Sequence, residues 1–248
     1  MRIVFTSIVV LYCITSAAQP AFDYQRDFRA LLDSSKEKSS DLYYGKLLDR
    51  FKNNDSTLTR REVLTLLIGY TDDPHYDPYT DMETEKEIFD LNESGNYDEA
   101  LVESKEYIQK HPVSLRVLKE RSFSYNQTGK LDSAKYFMDL VDKIMSAMMY
   151  SGKGKTPENP IFSLALNDGE QFIPNVGMSI ASKNTGTNKN KQFMEIINAK
   201  TEEGVNLNFF FVIQHAKEKM DGRDIGDAPV KKIKKGKKKD AKKEMKTE

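Results

Sequence analysis

The three histidines are the first residues to consider as catalytic or metal-binding groups. His75, His111 and His215 are 36 and 104 residues apart, whereas two histidines that bind one metal from a single helix are separated by about three to five residues. Gly152–Thr156 contains Gly-Lys-Thr but lacks the earlier Gly of a phosphate-binding loop, and no serine lies in a nucleophile-elbow pattern. The sequence therefore predicts no catalytic residue, no cofactor and no metal site. Carboxylates that converge only in the folded chain would leave no local pattern.

Carboxylates are concentrated around His75, where they could hold a divalent cation. The group consists of Asp72, Asp73, Asp77, Asp81, Glu83 and Glu85. A solvated loop of crowded charge explains the same residues, and we favour that interpretation. A second acidic run, Asp90–Tyr97, imitates the start of an EF-hand loop, but Leu101 stands where calcium needs a glutamate.

Three tyrosines, Tyr70, Tyr76 and Tyr79, lie beside Pro74 and Pro78 in one short segment. Tyrosine combines a broad apolar ring with a hydroxyl group, which suits contacts with a partner protein. We therefore name these tyrosines as candidate partner-binding residues, although we favour the interpretation that follows. The alternative is that the rings pack inside the protein, where an upstream helical hairpin meets the first repeat.

A repeat with a period of 34 residues occupies the middle of the chain. Residues 95–100 and 129–134 share a Gly, an apolar residue, an Asp and an Ala in the same order. The Gly permits a tight turn between two helices, and the small Ala lets the helices approach closely. The pattern predicts helices over about 83–93 and 97–110, followed by a second pair. It resembles tetratricopeptide repeats over about 81–148.

Two such repeats need further apolar surface, because each helix pair buries its apolar side only against a neighbour and about three repeats are usually required. Asp41–Leu67 contains two apolar stripes with helical spacing. Between them, Thr59 and Glu62 have the spacing of a capping box at a helix start. The sequence therefore predicts a helical hairpin here that covers one end of the repeats.

Beyond Pro160 the apolar residues form short runs bounded by turn residues, which is typical of strands. We predict four strands, over Ile161–Leu166, Val176–Ser182, Phe193–Ala199 and Leu207–Gln214. The run Phe209–Ile213 has no polar alternation, so we place the last strand in the centre of the sheet. A helix is the alternative for 193–200.

Turn residues at Asn167–Gly169, Lys183–Lys191 and Thr201–Gly204 favour an antiparallel sheet. Gly152–Pro157 is the expected hinge between the helices and the sheet. The predicted fold is therefore α+β, with tetratricopeptide-like helical hairpins followed by a small antiparallel β-sheet and a disordered basic C-terminal tail. The predicted parts are a signal peptide at 1–18, a helical-repeat domain at 19–151, a β region at 156–220 and the tail at 221–248.

Charge is balanced in total but not along the chain. The sequence has 38 Lys+Arg and 38 Asp+Glu, yet residues 230–248 carry ten Lys and three acidic residues, a net charge of +7, which leaves −8 on 19–229. An acidic body repels phosphate, so we expect no nucleic-acid binding by the folded part. The Lys-rich tail either contacts an anionic surface weakly or only keeps the protein in solution.

The first residues have the pattern of a secretory signal peptide. Arg2 precedes an apolar run over 3–14, and Ser16 and Ala18 supply the small residues of a cleavage site. We expect the mature protein to begin at Gln19, to lack any cysteine and to be periplasmic or extracellular, with association with the cell envelope as one option. Lipidation at Cys13 and an uncleaved anchor are the alternatives. No other segment is apolar over the length of a transmembrane helix, so none is expected in the mature chain.

The order of several short motifs resembles one known family. Leu47–Phe51, Asp55–Glu62, Leu66–Tyr70 and Tyr76–Tyr79 follow one another as in a family of exported bacterial proteins catalogued as domain of unknown function 4919. The resemblance covers about 24–215. It implies an exported protein with this architecture, and it implies no particular activity or ligand.

From these patterns we expect an exported cell-envelope protein that binds a protein or peptide partner, or acts as a scaffold, through the groove of its helical repeats. No catalytic motif points to an enzyme. Two other functions are carried as alternatives. One is an enzyme whose carboxylates converge only in the fold, and the other is a surface or polysaccharide-associated structural protein held by the Lys-rich tail.

Overall fold

The structure is a computed structural model that describes residues 22–224. Within this range the chain forms nine helices and four strands, which are α1 Tyr24–Lys36, α2 Tyr44–Lys52, α3 Arg60–Tyr70, α4 Asp81–Glu93, α5 Tyr97–Lys110, α6 Leu115–Gln127, α7 Leu131–Ser151, β1 Ile161–Phe162, α8 Asp168–Asn175, β2 Ser179–Thr187, β3 Phe193–Lys200, β4 Asn206–Val212 and α9 Gln214–Asp224. The α+β class is confirmed. No helix among these residues is long and apolar enough to span a membrane.

The two ends of the chain lie outside the described residues. The predicted signal peptide at 1–18 and residues 225–248 of the predicted tail belong to these ends. Helix α9 continues to Asp224, so residues 221–224, which we assigned to the tail, are helical.

Helices α4 to α7 form the two predicted helical hairpins. Gly95 and Gly129 sit in the turns between their helices with φ of 77° and 75°, a backbone conformation that glycine adopts without steric cost. Ala100 is fully buried where α5 faces α4, and α6 packs against both helices of the first pair. Helix α7 is 21 residues long and extends well beyond the 13-residue α6.

The upstream hairpin α2–α3 covers the second repeat. The predicted capping box is present, because the Thr59 hydroxyl accepts a hydrogen bond from the Glu62 amide and the Glu62 carboxylate accepts one from the Thr59 amide. All residues of α3 from Val63 to Tyr70 are buried, which requires partners on several sides. Helices α1, α2 and the extended half of α7 provide them.

The sheet is mixed, with strand order β1-β4-β3-β2. Strands β2, β3 and β4 pair antiparallel as predicted, and β4 is central as predicted. The prediction of an all-antiparallel sheet was wrong, because β1 pairs parallel to β4, with Ile161 opposite Phe211. A parallel pair needs a long crossover connection, and here that connection contains α8, β2 and β3. Residues 193–200 form a strand, not a helix.

Residues 163–175 differ most from the predicted strand and turn. Strand β1 ends at Phe162, and the Asp168 carboxylate accepts a hydrogen bond from the Ala165 amide at 2.9 Å, which turns the chain into α8. Asn and Asp favour helix starts as well as turns, and buried Phe172 and Ile173 give the helix an apolar side. Strand β2 lies later than predicted, over Ser179–Thr187, because it is an exposed edge strand without an apolar alternation.

The predicted hinge at 152–157 is bonded to the sheet. The Phe210 amide donates a hydrogen bond to the Gly154 carbonyl at 2.9 Å, and the Gly154 amide donates one to the Asn159 carbonyl at 2.8 Å. A Cβ atom at Gly152 would lie 2.0 Å from the Pro160 carbonyl oxygen. The connection is thus a close-packed junction, and one apolar core continues from α1, α3 and α7 into the sheet.

Candidate functional site

The three predicted partner-binding tyrosines do not share one exposed surface. Tyr70 and Tyr76 are only 3% and 2% exposed, whereas Tyr79 is 62% exposed. The Tyr76 hydroxyl donates a hydrogen bond to the Leu164 carbonyl at 2.8 Å, so its ring joins the α3–α4 loop to the segment after β1. Direct contact of Tyr70 and Tyr76 with a partner is therefore incompatible with the structure, and only Tyr79 remains available for it.

A cleft of about 490 Å³ lies between the α3–α4 loop and the C-terminal half of α5. We call it the histidine cleft, because His75 and His111 both line it with ring centroids 6.4 Å apart. Its other charged lining residues include Asp81, Glu103 and Glu106. The cleft therefore brings together two histidines that are far apart in the sequence.

His111 is held on two sides. Its ring stacks on Tyr107 with centroids 4.2 Å apart, and its Nδ1 lies 2.9 Å from the Tyr70 hydroxyl and 3.4 Å from Asp81 Oδ1. Its Nε2 makes no hydrogen bond within residues 22–224. A ring oriented through Nδ1 can accept or donate a hydrogen bond through Nε2, so His111 can contact a polar ligand in the cleft.

The acidic residues around His75 do not converge on one point, because they make separate contacts with different parts of the chain. Asp73 accepts a hydrogen bond from His75 at 2.9 Å, Asp72 pairs with Lys36 of α1 at 2.8 Å, and Glu85 is buried inside the protein. Among residues 22–224, no three His, Cys, Asp or Glu side chains are placed to hold a metal ion.

Glu85 connects the first repeat with the C-terminal part. Its carboxylate accepts hydrogen bonds from the Ser114 hydroxyl at 2.6 Å and from the Asn167 amide at 2.8 Å. Burial raises the pKa of Glu85, while these two hydrogen bonds act in the opposite direction. Lys119 of α6 also donates a hydrogen bond to Gln171 of α8, at 3.4 Å. The residues after β1 therefore lie against α4 and α6, the first helices of both pairs.

Two further carboxyl groups, those of Asp168 and Glu195, are buried in the C-terminal part of the described chain. Burial, with a smaller contribution from the nearby Glu85, raises the pKa of Asp168 to about 7 against the opposing hydrogen bond from the Ala165 amide. Burial raises the pKa of Glu195 on β3 to about 8, with Glu170 and Asp168 adding to the effect and Lys183 opposing it. Within residues 22–224, Glu195 Oε2 and Asn167 Oδ1 have no hydrogen-bond partner. Protonation of Glu195 near neutral pH removes the cost of a buried charge.

Within residues 22–224, no other element covers the side of α4 and α5 that faces away from the second repeat. A second cleft, of about 530 Å³, lies there and shares Thr84 and Glu103 with the histidine cleft, so the two form one continuous groove. Val102, 56% exposed, stands on α5 beside it. We call this side of the helix pair the outer face, and its carboxylates are Glu87, Asp90, Glu99, Glu103 and Glu106.

The outer face is strongly acidic. Residues 81–110 contain ten Asp and Glu against three Lys, a net charge of −7. Glu87, Glu99, Glu103 and Glu106 form no ion pair with any cation of residues 22–224. Sequence reasoning missed this surface because it averaged the acidic charge over 19–229. The local excess of carboxylates in 81–110 was the available signal.

Comparison with known proteins places the chain in one family. No curated protein and no solved structure matches the chain. A family model described as a domain of unknown function, DUF4919, matches residues 30–221, which run from within α1 to within α9. The match spans both helical hairpins and the whole sheet, and it agrees with the order of motifs between Leu47 and Tyr79. The chain therefore belongs to the DUF4919 family.

Proposed function

We propose that this protein is an interaction module that binds a cationic segment of a partner protein on the outer face of α4–α5. The observation that carries the proposal is the uncovered outer side of the first helix pair. In a repeat array each pair is covered by neighbours on both sides. Here α6 covers one side of α4–α5, α7 packs on α6, and the upstream hairpin packs on α7 at the other end.

The composition of the outer face supports a partner with both positive and apolar side chains. Its unpaired carboxylates attract Lys or Arg. Val102 and Tyr79 are exposed and adjoin the lining residues Glu103 and Thr80 in the sequence, so they offer apolar area close to the groove. Charge complementarity of this kind accelerates association and selects partners more than it adds affinity. His111 and the Tyr107 ring add a polar and an aromatic contact at one end of the groove.

The side of α4 and α6 that faces α8, which we call the inner side of the repeats, is a poorer candidate for partner binding. The residues after β1 occupy it, through the contacts of Asn167 with Glu85 and of Gln171 with Lys119. A peptide that entered this side would have to displace α8 and break the buried contacts of Glu85. The groove that we expected from the repeat pattern is thus filled by the chain itself, and the proposal moves to the outer face.

Site-specific photo-cross-linking in the cells that make the protein tests this function. A photoreactive residue at Val102 should capture one defined partner, whereas the same residue at Val205, 53% exposed on the β3–β4 connection, should not. Changing Glu99 and Glu103 to Lys should abolish the Val102 product, because it reverses the charge that attracts the partner. Equal capture at Val102 and Val205, or capture that survives the charge reversal, would contradict the proposal.

We also propose that the protein is exported to the cell envelope or beyond it. The support is the Arg2, apolar run and small-residue pattern of residues 1–18. Mass spectrometry of material recovered outside the cytoplasm should find Gln19, or its cyclised form, as the first residue. An intact Met1 on that material would contradict cleavage at this site.

A further inference from the structure

We propose that the Lys-rich segment 230–248 of this same chain binds the outer face of α4–α5 and competes there with the partner. This inference rests on the proposed function and names an occupant for the same site. It assigns a role to the Lys-rich segment, a sequence feature that lies outside the described fold. The consequence is an interaction surface that its own chain covers until a partner displaces the segment.

Charge complementarity is the first argument. The outer face contributes five carboxylates to the net charge of −7 on residues 81–110, and residues 230–248 have a net charge of +7. On α5 the carboxylates of Glu99, Glu103 and Glu106 recur about once per helical turn and point to one side. Lysines occur in the segment as pairs and one triplet, with Ile233 and Met245 as apolar residues. Such a segment matches a groove that mixes carboxylates with exposed apolar side chains.

The outer face combines several uncompensated carboxylates in one groove, whereas a number of acidic residues elsewhere are already paired. Asp139 pairs with Lys135, Glu170 with Lys183, and Glu62 with Arg50. Four of the five outer-face carboxylates have no cation partner within residues 22–224. A Lys-rich segment therefore gains most where the carboxylates are concentrated and free, although each exposed pair is worth little by itself.

The chain is long enough for this contact. The start of helix α9 lies close to the α3–α4 loop, because His215 stacks with Tyr76 at 6.3 Å between ring centroids. The residues on either side of Tyr76 in that loop, His75 and Asp77, line the histidine cleft. Its 11 residues span roughly 16 Å. The 24 residues that follow Asp224 can extend over about 80 Å, whereas a domain of this size is roughly 43 Å across.

Attachment to the same chain makes weak contacts sufficient. A segment tethered within reach has an effective concentration of the order of millimolar, so it occupies the groove without high intrinsic affinity. A partner with a cationic segment must then bind more tightly than this tethered competitor. Salt weakens both contacts, because they join exposed charges.

Zero-length cross-linking of the full chain tests the inference. A carbodiimide joins a Lys amine to a carboxylate only when the two are in contact, and mass spectrometry identifies the joined residues. We expect lysines of 230–248 joined to Glu87, Glu99, Glu103 or Glu106, within one chain, and loss of these products at high salt. Mixing isotope-labelled and unlabelled chains separates products within a chain from products between chains.

A matched pair of variants gives the control. Changing Glu99 and Glu103 to Lys should reduce the yield of the remaining Glu87 and Glu106 products about tenfold. Changing exposed Glu202 and Glu203 to Lys, on the β3–β4 connection, should leave that yield unchanged. Circular dichroism of each variant verifies folding.

Three outcomes would overturn the inference, namely cross-links spread over all acidic surfaces, cross-links that survive the Glu99 and Glu103 reversal, and cross-links only between chains. The proposed function has a separate outcome. If Val102 captures another protein while no segment cross-links form on the outer face, the function stands and this inference fails. If neither product forms, both fail.

Discussion

Glu195 occupies a position in the sheet that would normally hold an apolar side chain. It pairs with Phe211 on β4 and faces α8, where a Cβ atom at Gly169 would lie 2.6 Å from its Oε2 atom. Gly169 therefore leaves the space that this carboxyl group fills. Because burial raises the pKa of Glu195 to about 8, the group is largely protonated at neutral pH and is buried as a neutral acid.

His215 is buried as a neutral base, whereas Glu195 is buried as a neutral acid. Its ring stacks on Phe162 at 4.8 Å, its Nε2 lies 3.3 Å from the Leu164 carbonyl, and its Nδ1 lies 3.3 Å from the Tyr24 hydroxyl. With Nε2 donating and Nδ1 accepting, the neutral ring satisfies both contacts. Burial lowers the pKa of His215 to about 4, so the folded protein opposes its protonation.

At the scale of elements, the first helix pair depends on the close approach of α4 and α5. Replacing fully buried Ala100 with Arg should lower the free energy of unfolding by several kcal/mol, because the interface has no room for the side chain or its charge. Urea denaturation measures the change. Val102→Arg on the exposed side of the same helix is the control and should leave stability nearly unchanged. Equal effects of the two substitutions would contradict the helix-pair assignment.

The sequence predicted the elements that carry a strong local signal. The 34-residue period placed α4 to α7, and Thr59 with Glu62 placed the start of α3. Strand β2 was misplaced and helix α8 was missed, in both cases for physical reasons. Strand β2 has almost no buried side and therefore no alternation, and Asn167 and Asp168 are equally suited to a turn and to a helix start.

The candidate site could be predicted only in part. The acidic composition of 81–110 is readable from the sequence, and so is the Lys-rich segment. The proximity of His75 and His111 could not be predicted, because the two residues are 36 positions apart and the fold of the α3–α4 loop brings their rings together. Burial of Tyr70 and Tyr76 also depends on contacts with His111 and Leu164, distant positions that no local pattern identifies.

At the scale of the whole molecule, the C-terminal part closes the inner side of the repeats. One core runs through both parts, and the contact of Asn167 with Glu85 fixes α8 against the first pair. The outer face is then the side of the repeats that no other part of residues 22–224 covers. Buried carboxyl groups lie where the C-terminal part packs on the repeats, so the free energy of unfolding depends on pH.

The direction of that dependence follows from the shifted groups. Between about pH 4.5 and 8, folded Glu195 keeps a proton that the unfolded chain has released, so stability falls as pH rises through this window. Asp168, with its pKa raised to about 7, acts in the same direction. Folded His215 has its pKa lowered to about 4, so below about pH 6.5 the unfolded chain binds a proton that the folded chain does not. Stability from His215 is lost as pH falls.

Glu195→Gln should flatten the alkaline side of the stability curve. The amide keeps the shape of the protonated acid but does not titrate. Between about pH 5 and pH 8, the free energy of unfolding should therefore fall less steeply with pH, by up to about 1.4 kcal/mol per pH unit. Urea denaturation at a series of pH values measures this slope. Glu202→Gln, on an exposed turn, is the control and should follow the parent protein. If the free energy of unfolding of Glu195→Gln depended on pH as in the parent protein, Glu195 would be ionised in the folded chain. The residues packed around it would then have to stabilise a full negative charge.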